Sequence, residues 1–264
     1  MSQKAEAGDA CVLVADRGAV RVLTLNRPRR RNAIDLELRV VLAERIEEAM
    51  ADAEVRVIVL TGAGGVFCSG GDISTMSRQS AERTRPRAEA AQRIVRAIWS
   101  GPKPVLAAVE GFAFGAGAAL ALACDQVVAA SDATFNPTFT RVGLAGDLGV
   151  FWSLRRRAGL AAARRLLMLP RAVGGAEAVE MGLADVLAEP GAALETALAD
   201  AERLAAGPPL ALAAIKELLV EGPSDPYEVL AREVDNQVRL FDTDDFAEGV
   251  AAFHERRPPI FRGR

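Results

Sequence analysis

The sequence predicts an α/β fold followed by a region made of helices alone. Short apolar runs rich in β-branched residues have the composition of strands buried on both faces of a sheet. They occupy residues 55–60, 105–109 and 126–130. Segments of helical character separate these runs, and this alternation is typical of an α/β layout. From Leu194 onward only helical patterns follow, so we predict a core over residues 1–193 and a helical region over residues 194–264.

A hairpin and a helix are predicted at the start of the chain. Residues 12–14 and 20–25 are rich in β-forming residues and flank a turn centred on Arg17. Asp35 has the position of an N-cap, because apolar residues recur at helical spacing from there to about residue 51. The arginine-rich stretch between these elements is either a solvated surface or a place that holds phosphates.

The strand predicted at residues 55–60 runs into the stretch Thr61-Gly-Ala-Gly-Gly65. A strand that ends in this way is also typical of a dinucleotide-binding fold. The glycines lack the GxGxxG spacing that leads into a helix, and the strand is about the third in the chain, so we do not favour that alternative. Residues 74–100 are mixed in polarity and predict a mobile or weakly packed segment that leads into a helix.

The stretch from Glu110 to Asp125 is the centre of the predicted fold. It begins with glycines and continues with no polar side chain until Asp125. A helix that is apolar all round is buried in the core. The first turn of a helix has unpaired N–H groups and is the positive end of its dipole, so this start suits an anion or an oxygen that becomes one. On this stretch alone, a core helix with tightly packed small residues remains the simpler interpretation.

Shorter elements complete the prediction. The loop from Thr138 to Gly149 is punctuated by glycines, and Gly182 is placed to end a helix. Short strands are predicted at residues 133–135 and 184–187, and helices at residues 152–158, 161–167, 177–181, 194–206, 210–221 and 227–241. Terminal helices of this kind often build contacts between subunits.

Composition excludes several kinds of chemistry. The net charge of −3 over 264 residues gives no reason to expect a nucleic-acid partner. The three cysteines (Cys11, Cys68 and Cys124) are far apart, which argues against a disulfide framework or a zinc site and suits a cytoplasmic protein. His254 is the single histidine, so acid–base chemistry falls to carboxylates.

Residues 1–9 are polar and have no signal-peptide pattern, and no apolar run is long enough to span a membrane.

Several motifs, in a fixed order along nearly the whole chain, identify a family. They are Leu25-Asn-Arg-Pro28 with Arg31-Asn-Ala33, Phe67-Cys-Ser-Gly-Gly-Asp72, Gly111-Phe-Ala-Phe-Gly-Ala-Gly117, Ala123-Cys-Asp125, and the tail from Gly249 to Phe261. In this order they resemble the crotonase superfamily, the enoyl-CoA hydratase/isomerase family. The resemblance implies a ββα spiral core, a C-terminal helical trimerisation region, and a homotrimer or a dimer of trimers. It also implies acyl-CoA substrates, with coenzyme A arriving as part of the thioester and no separate cofactor.

The same resemblance implies where the substrate is held. The backbone N–H groups of Gly71 and Ala116 take the positions of the family's oxyanion hole, which stabilises an enolate at the thioester oxygen. One such donor is typically worth roughly 3–4 kcal/mol. The coenzyme A is implied to contact two loops, and the residues concerned are Arg29, Arg31, Ala33, Ser69, Gly71, Asp72 and Ile73.

The resemblance also shows a departure from the hydratases of the family. They carry two glutamates that handle water, and by register those positions are Ala119 and Phe139 here. Addition of water across a double bond needs a base for water and an acid for the α-carbon. Ordinary hydratase activity is therefore not expected from these two positions.

Asp147 is the candidate catalytic carboxylate. It has the position at which phenylacetate-pathway-type enoyl-CoA isomerases, similar in this loop, carry a catalytic aspartate. A single carboxylate can remove a proton from C2 and return it at C4, and an apolar pocket formed by Phe114, Phe139 and Trp152 would raise its pKa. The alternatives are that Asp147 only N-caps a helix, that the protein is a hydratase, or that it binds acyl-CoA without catalysis.

Overall fold

Two sheets and the helices around them make up residues 10–223 and 225–264, the part of the chain described by the computed structural model. The polar residues 1–9, where no signal peptide was expected, lie outside the described residues. The strands are β1 (Val12–Arg17), β2 (Val20–Leu25), β3 (Val57–Gly62), β4 (Val105–Val109), β5 (Phe112–Phe114), β6 (Gln126–Ala130), β7 (Thr134–Asn136), β8 (Val173–Gly174) and β9 (Val186–Ala188). The helices are α1 (Leu36–Ala51), α2 (Ala81–Ser100), α3 (Ala116–Ala123), α4 (Val150–Met168), α5 (Gly175–Glu180), α6 (Ala193–Ala205), α7 (Pro209–Glu221), α8 (Pro226–Phe241) and α9 (Asp244–Glu255).

The larger sheet has the order β1-β2-β3-β4-β6-β9 among the described residues. β1 and β2 form the predicted antiparallel hairpin, and every later neighbour pairs in parallel. All residues of β4 are buried, as its continuous apolar sequence predicts for a central parallel strand. The α/β prediction is confirmed, and the carboxyl ends of the parallel strands lead into the loops that build the site.

A smaller sheet, with the order β5-β7-β8, differs from the prediction. We expected a glycine-rich loop between Glu110 and the buried helix, but Phe112–Phe114 is a strand; the helix itself begins at Ala116. Gly115 makes the change of direction with φ +48°, and its N–H donates to the backbone oxygen of Asn136 over 2.8 Å. The pairing of β5 with β7 is non-local, so helical spacing could not reveal it.

Helix boundaries follow local signals where these exist. The Asp35 carboxylate caps α1, since its Oδ1 accepts from the Leu38 N–H at 2.9 Å. α2 is exposed along most of its first half and buries Ile94, Val95 and Ile98 in its second half. β3 leads into a 3₁₀ turn at Ala63–Gly65 rather than a helix, so the dinucleotide-binding alternative is wrong. Helix α9 was not predicted.

The predicted C-terminal region begins with a helix that belongs to the core. α6 packs on β3 and β4 of the larger sheet, and Glu110 caps its start by accepting the Gly191 and Ala193 N–H groups at 3.1 and 2.8 Å. Lys216 on α7 is buried and lies 2.8 Å from an oxygen of Asp125. The division at residue 193 stays a prediction. Across the described residues, no helix combines the length and apolar character needed to cross a membrane.

Candidate active site

A loop after β2 is held in one conformation by two side chains. Asn32 is fully buried and has φ +56°, and its amide nitrogen donates to the backbone oxygens of Ala63 (2.9 Å) and Val66 (2.6 Å). The Arg27 guanidinium lies 2.8 Å from a carboxylate oxygen of Asp35 and 3.3 Å from one of Asp72. Neither role was predicted. Together the two residues tie the loop before α1 to the loop after β3.

Backbone pairing brings the loop after β3 against the start of α3. The Cys68 N–H donates to Phe112 O over 2.8 Å, and the Phe114 N–H donates back to Cys68 O over 3.0 Å. A Cβ on Gly70 would lie 2.8 Å from Phe114 O and 3.7 Å from the nitrogen of Ala116. A Cβ on Gly117 would lie 2.3 Å from Cys68 O. The close approach of the two segments therefore depends on these two glycines.

Gly71 and Ala116, the predicted oxyanion-hole residues, stand beside this contact, since they directly follow Gly70 and Gly115 in the chain. No described acceptor is bonded to the Gly71 N–H. Ala116 is the first residue of α3, so its N–H has no partner within the helix. The side chain of Met76 is the neighbour that a Cβ at Gly71 would touch, and Met76 also lines a cavity of about 550 Å³. A pair of N–H groups of this kind, of which the Ala116 N–H is at a helix N-terminus, can stabilise an oxyanion. Neither Gly71 nor Ala116 is itself among the described residues that line the cavity.

The residues predicted to contact coenzyme A lie on the two loops that flank this contact. Arg29 and Arg31 are exposed, whereas Ala33 is buried. Ser69 links the two loops, since its N–H donates a hydrogen bond to Arg31 O over 3.0 Å. Ile73 is exposed and lines the cavity.

Asp72, predicted to contact coenzyme A, is buried and holds the conformation of its own loop. Its carboxylate accepts from the N–H and hydroxyl of Ser74 at 3.2 and 2.6 Å. Hydrogen bonds from Ser74 hold the pKa of Asp72 below its usual value. The side chain thus fixes the loop that presents the Gly71 N–H.

Asp147 lines the same cavity as Met76 and Ile73. Its predicted alternative role as an N-cap is wrong, because α4 begins at Val150 after Gly149 and receives no side-chain cap. One carboxylate oxygen of Asp147, Oδ1, is buried without a hydrogen-bond partner in the described chain. Burial raises the pKa of Asp147, and the nearby charges of Arg39 and Arg87 oppose that rise. This is the environment of a carboxylate that can exchange a proton with a bound molecule.

Arg39 is the partner of Asp147 that sequence reasoning missed. It is 4% exposed, and its Nη2 lies 3.7 Å from Asp147 Oδ2. Its position on α1 falls at helical spacing with the buried residues Leu42, Ala43 and Ile46. An arginine within the apolar stripe of a helix was the available signal, because charged residues are rarely buried without a role.

Three predicted wall residues have different outcomes. Phe139 is buried and lines the cavity of Asp147. Trp152 does not line it and instead faces two other cavities beside Trp99, so that prediction is wrong. Phe114 lies on β5 with its ring 5.1 Å from that of Phe112 and is not among the residues lining the cavity. Besides Phe139, the apolar side chains that line the cavity include Met76, Val142 and Leu144.

Other candidate groups take no part in the chemistry. Ala119 is fully buried in α3, so neither implied glutamate position holds a carboxylate. Burial raises the pKa of Cys68 to about 12, so its thiol stays protonated and packs as a small core residue. Within the described residues no cluster of histidine, cysteine and carboxylate side chains is grouped to hold a metal ion.

The structure is that of an α/β protein in which the loop after β3 pairs with the segment before α3, and in which one carboxylate, Asp147, lines a cavity. A model of the enoyl-CoA hydratase/isomerase family matches residues 16–264. The chain belongs to the enoyl-CoA hydratase/isomerase family of the crotonase superfamily, and it has the crotonase fold with C-terminal helices. Enzymes of this family act on acyl-CoA thioesters, in which coenzyme A is part of the substrate, and need no separate cofactor.

Known proteins similar to this chain carry more than one activity. A Rhodobacter capsulatus protein described as a probable enoyl-CoA hydratase is 42% identical over 92% of this chain and 94% of that protein. The 1,2-epoxyphenylacetyl-CoA isomerase of Escherichia coli is 35% identical over 93% of this chain and 95% of its own length. The crystal structure of an enoyl-CoA hydratase from Polaromonas sp. JS666 matches with a TM-score of 0.91 and 39% identity, over 95% of this chain and 99% of that one.

Proposed function

We propose that the protein isomerises the double bond of an enoyl-CoA, converting a 3-enoyl or a ring-derived acyl-CoA to its 2-enoyl form. The observation that carries this proposal is a single carboxylate, Asp147, in a cavity whose wall includes Met76, the side chain next to Gly71. Both positions that hold water-activating glutamates in hydratases are apolar here, at Ala119 and Phe139. A site with one proton-transfer group fits a reaction that moves one proton and adds no water.

The reaction needs three groups. Asp147 takes the proton from C2, and the electron pair of that C–H bond delocalises into a dienolate. The thioester oxygen, which gains negative charge, accepts hydrogen bonds from the N–H groups of Gly71 and Ala116. The protonated Asp147 then gives the proton to C4, so the double bond moves to C2–C3 and the carboxylate is restored. Arg29, Arg31 and Ser69, on loops exposed near these N–H groups, are proposed to contact the coenzyme A.

Hydration of a 2-enoyl-CoA is the second candidate, favoured by the number of relatives named as hydratases. The 2,3-dehydroadipyl-CoA hydratase of Escherichia coli is 33% identical over 96% of this chain. The (E)-benzylidenesuccinyl-CoA hydratase of Thauera aromatica is 35% identical over 92% of this chain.

The experiment that separates the two candidates is to give the protein a 3-enoyl-CoA and a 2-enoyl-CoA of equal length. Formation of 2-enoyl-CoA without 3-hydroxyacyl-CoA supports isomerisation, and efficient hydration supports the alternative.

The pH dependence of isomerisation follows from the surroundings of Asp147. The base form is the carboxylate, so the rate rises with pH through a pKa that burial raises above the ordinary aspartate value. Arg39 opposes this rise, so Arg39→Gln is expected to move the acid limb of the kcat profile to higher pH. The measurement is the pH–rate profile of wild type and variant.

The matched control changes a different arginine on the same helix. Arg45→Gln removes an exposed arginine of α1, paired with Glu48, and should leave the profile unchanged. An acid limb that stays in place or moves to lower pH in Arg39→Gln would exclude Asp147 as the base.

We propose that the protein is a cytoplasmic homotrimer or dimer of trimers. Support comes from a stripe of exposed apolar side chains on α8, which stand three or four positions apart: Tyr227, Leu230, Val234, Val238 and Phe241. Light scattering after size exclusion should give three or six times the 27.9 kDa chain mass. The double variant Val234→Glu with Val238→Glu should dissociate, whereas Glu233→Gln should not. A wild-type monomer would contradict the proposal.

A further inference from the structure

The cavity of Asp147 has more positive than negative charge. Arginines Arg39, Arg78 and Arg87 line it, and Asp147 is the one carboxylate among its described lining residues. The rest of the wall is largely apolar or uncharged. A weakly hydrated cavity strengthens electrostatic interactions, so an excess of guanidinium groups there favours an anion. The isomerisation itself does not require this excess, because it uses one carboxylate and two backbone donors.

Two of these guanidinium groups have buried N–H donors without a partner in the described chain. The Nε of Arg39 and an Nη of Arg87 are buried and have no acceptor. The other two nitrogens of Arg39 each have a partner, since Nη1 donates to Arg87 O over 3.1 Å and Nη2 lies 3.7 Å from Asp147 Oδ2. A buried donor left without an acceptor is costly, whereas a carboxylate matches guanidinium geometry closely.

We propose that Arg39 and Arg87 form a subsite for a second carboxylate, at the end of the acyl group opposite the thioester. The natural substrate is then a CoA monothioester of a dicarboxylic acid rather than a simple fatty acyl-CoA. This proposal rests on the proposed function only in placing the acyl chain between Gly71 and Asp147. It does not depend on whether the double bond moves or is hydrated.

The position of the two arginines favours the acyl group over the phosphates of coenzyme A as the source of the anion. Arg39 is buried beside Asp147, the proposed proton-transfer group, and so lies near the reacting carbons. Arg29 and Arg31 are exposed on the loops proposed to contact coenzyme A. Met76, Val142 and Leu144 line the cavity and suit the methylene groups of an acyl chain.

Binding of saturated acyl-CoAs tests the subsite without any turnover. Calorimetry compares methyl-terminated acyl-CoAs of five to eight carbons with their carboxylate-terminated counterparts. We expect at least one length at which the carboxylate-terminated compound binds about 10-fold tighter or more. Arg87→Gln should remove this preference while the methyl-terminated compounds bind as before, and Arg87→Lys should retain part of it. Arg83→Gln, an exposed change on the same helix, should leave the preference intact.

Two results would overturn the subsite. One is the absence of a preference at every chain length. The other is an equal loss of both compound series in Arg87→Gln. Repeating the series with dephospho-CoA thioesters, which lack the 3′-phosphate, identifies the anion that Arg87 binds. The preference for the carboxylate-terminated compounds should persist. If Arg87→Gln no longer affects binding once the 3′-phosphate is removed, the arginine binds coenzyme A instead. Saturated compounds cannot isomerise, so this binding test is independent of the reaction. If the protein prefers the carboxylate-terminated compounds but has no isomerase activity, the proposed reaction is rejected and the subsite is not.

Discussion

Asp147→Asn is expected to lower kcat for 3-enoyl-CoA isomerisation by about 10²–10⁴-fold, the usual contribution of a positioned general base. The amide occupies nearly the same volume but cannot accept the proton from C2. Its effect on KM should be small, since the thioester oxygen and coenzyme A are held by other groups. Steady-state kinetics with a 3-enoyl-CoA provide the measurement.

The matched control is Asp132→Asn, which changes an exposed aspartate in the turn between β6 and β7. It should keep wild-type kcat and KM. A rise in KM with unchanged kcat in Asp147→Asn would contradict the proposed role, because it would show that Asp147 contributes to binding alone. Near wild-type rates would remove Asp147 from the mechanism.

Gly117→Ala is expected to have the second large effect, through the geometry of the oxyanion hole. The new Cβ would lie 2.3 Å from Cys68 O, and this backbone atom can move only if α3 and the loop before Gly71 separate. A misplacement of about 1 Å can cost about 10²-fold in rate. We therefore expect kcat to fall by about that factor and the free energy of unfolding to fall by about 1–3 kcal/mol.

Gly174→Ala is the control for this change. Gly174 has an ordinary negative φ and open space where its Cβ would lie, so the variant should be fully active and as stable as wild type. Denaturant unfolding and isomerase kinetics are measured on both variants. A Gly117→Ala protein with wild-type kcat would show that the contact between α3 and Cys68 does not set the position of the Ala116 N–H.

The elements that could be predicted are those whose signals are local. The hairpin, the cap at Asp35 and the buried strand β4 each depend on residues within a few positions of one another. Strand β5 is three residues long, and it pairs with β7 and with Cys68. Its sequence alone predicts only a glycine-rich loop before α3. Non-local pairing of this kind is not visible in periodicity.

Parts of the candidate site depend on contacts between residues far apart in sequence, so only some of it could be predicted. The position of Asp147 came from a resemblance in its loop, and the structure adds the cavity and the partner Arg39. Arg39 lies far from Asp147 in sequence, and only the packing of α1 against the loop before α4 brings them together. Trp152 was assigned to the wrong cavity because the direction of α4 after Gly149 could not be derived from spacing. Asn32 links two loops by donating to backbone oxygens. Every residue has such an oxygen, so the sequence does not show which ones Asn32 contacts.

The proposed function requires that this site moves a proton and does not add water. The measurement that tests this requirement is incubation of wild-type protein and Asp147→Asn in H₂¹⁸O with a 3-enoyl-CoA and, separately, with a 2-enoyl-CoA of equal length, followed by mass spectrometry of all products. We predict that the 3-enoyl-CoA gives a 2-enoyl-CoA of unchanged mass, about 10²–10⁴-fold more slowly with Asp147→Asn, and that neither substrate gives an ¹⁸O-labelled acyl product. An ¹⁸O-labelled 3-hydroxyacyl-CoA formed efficiently from the 2-enoyl-CoA, with no conversion of the 3-enoyl-CoA, would contradict the proposed function.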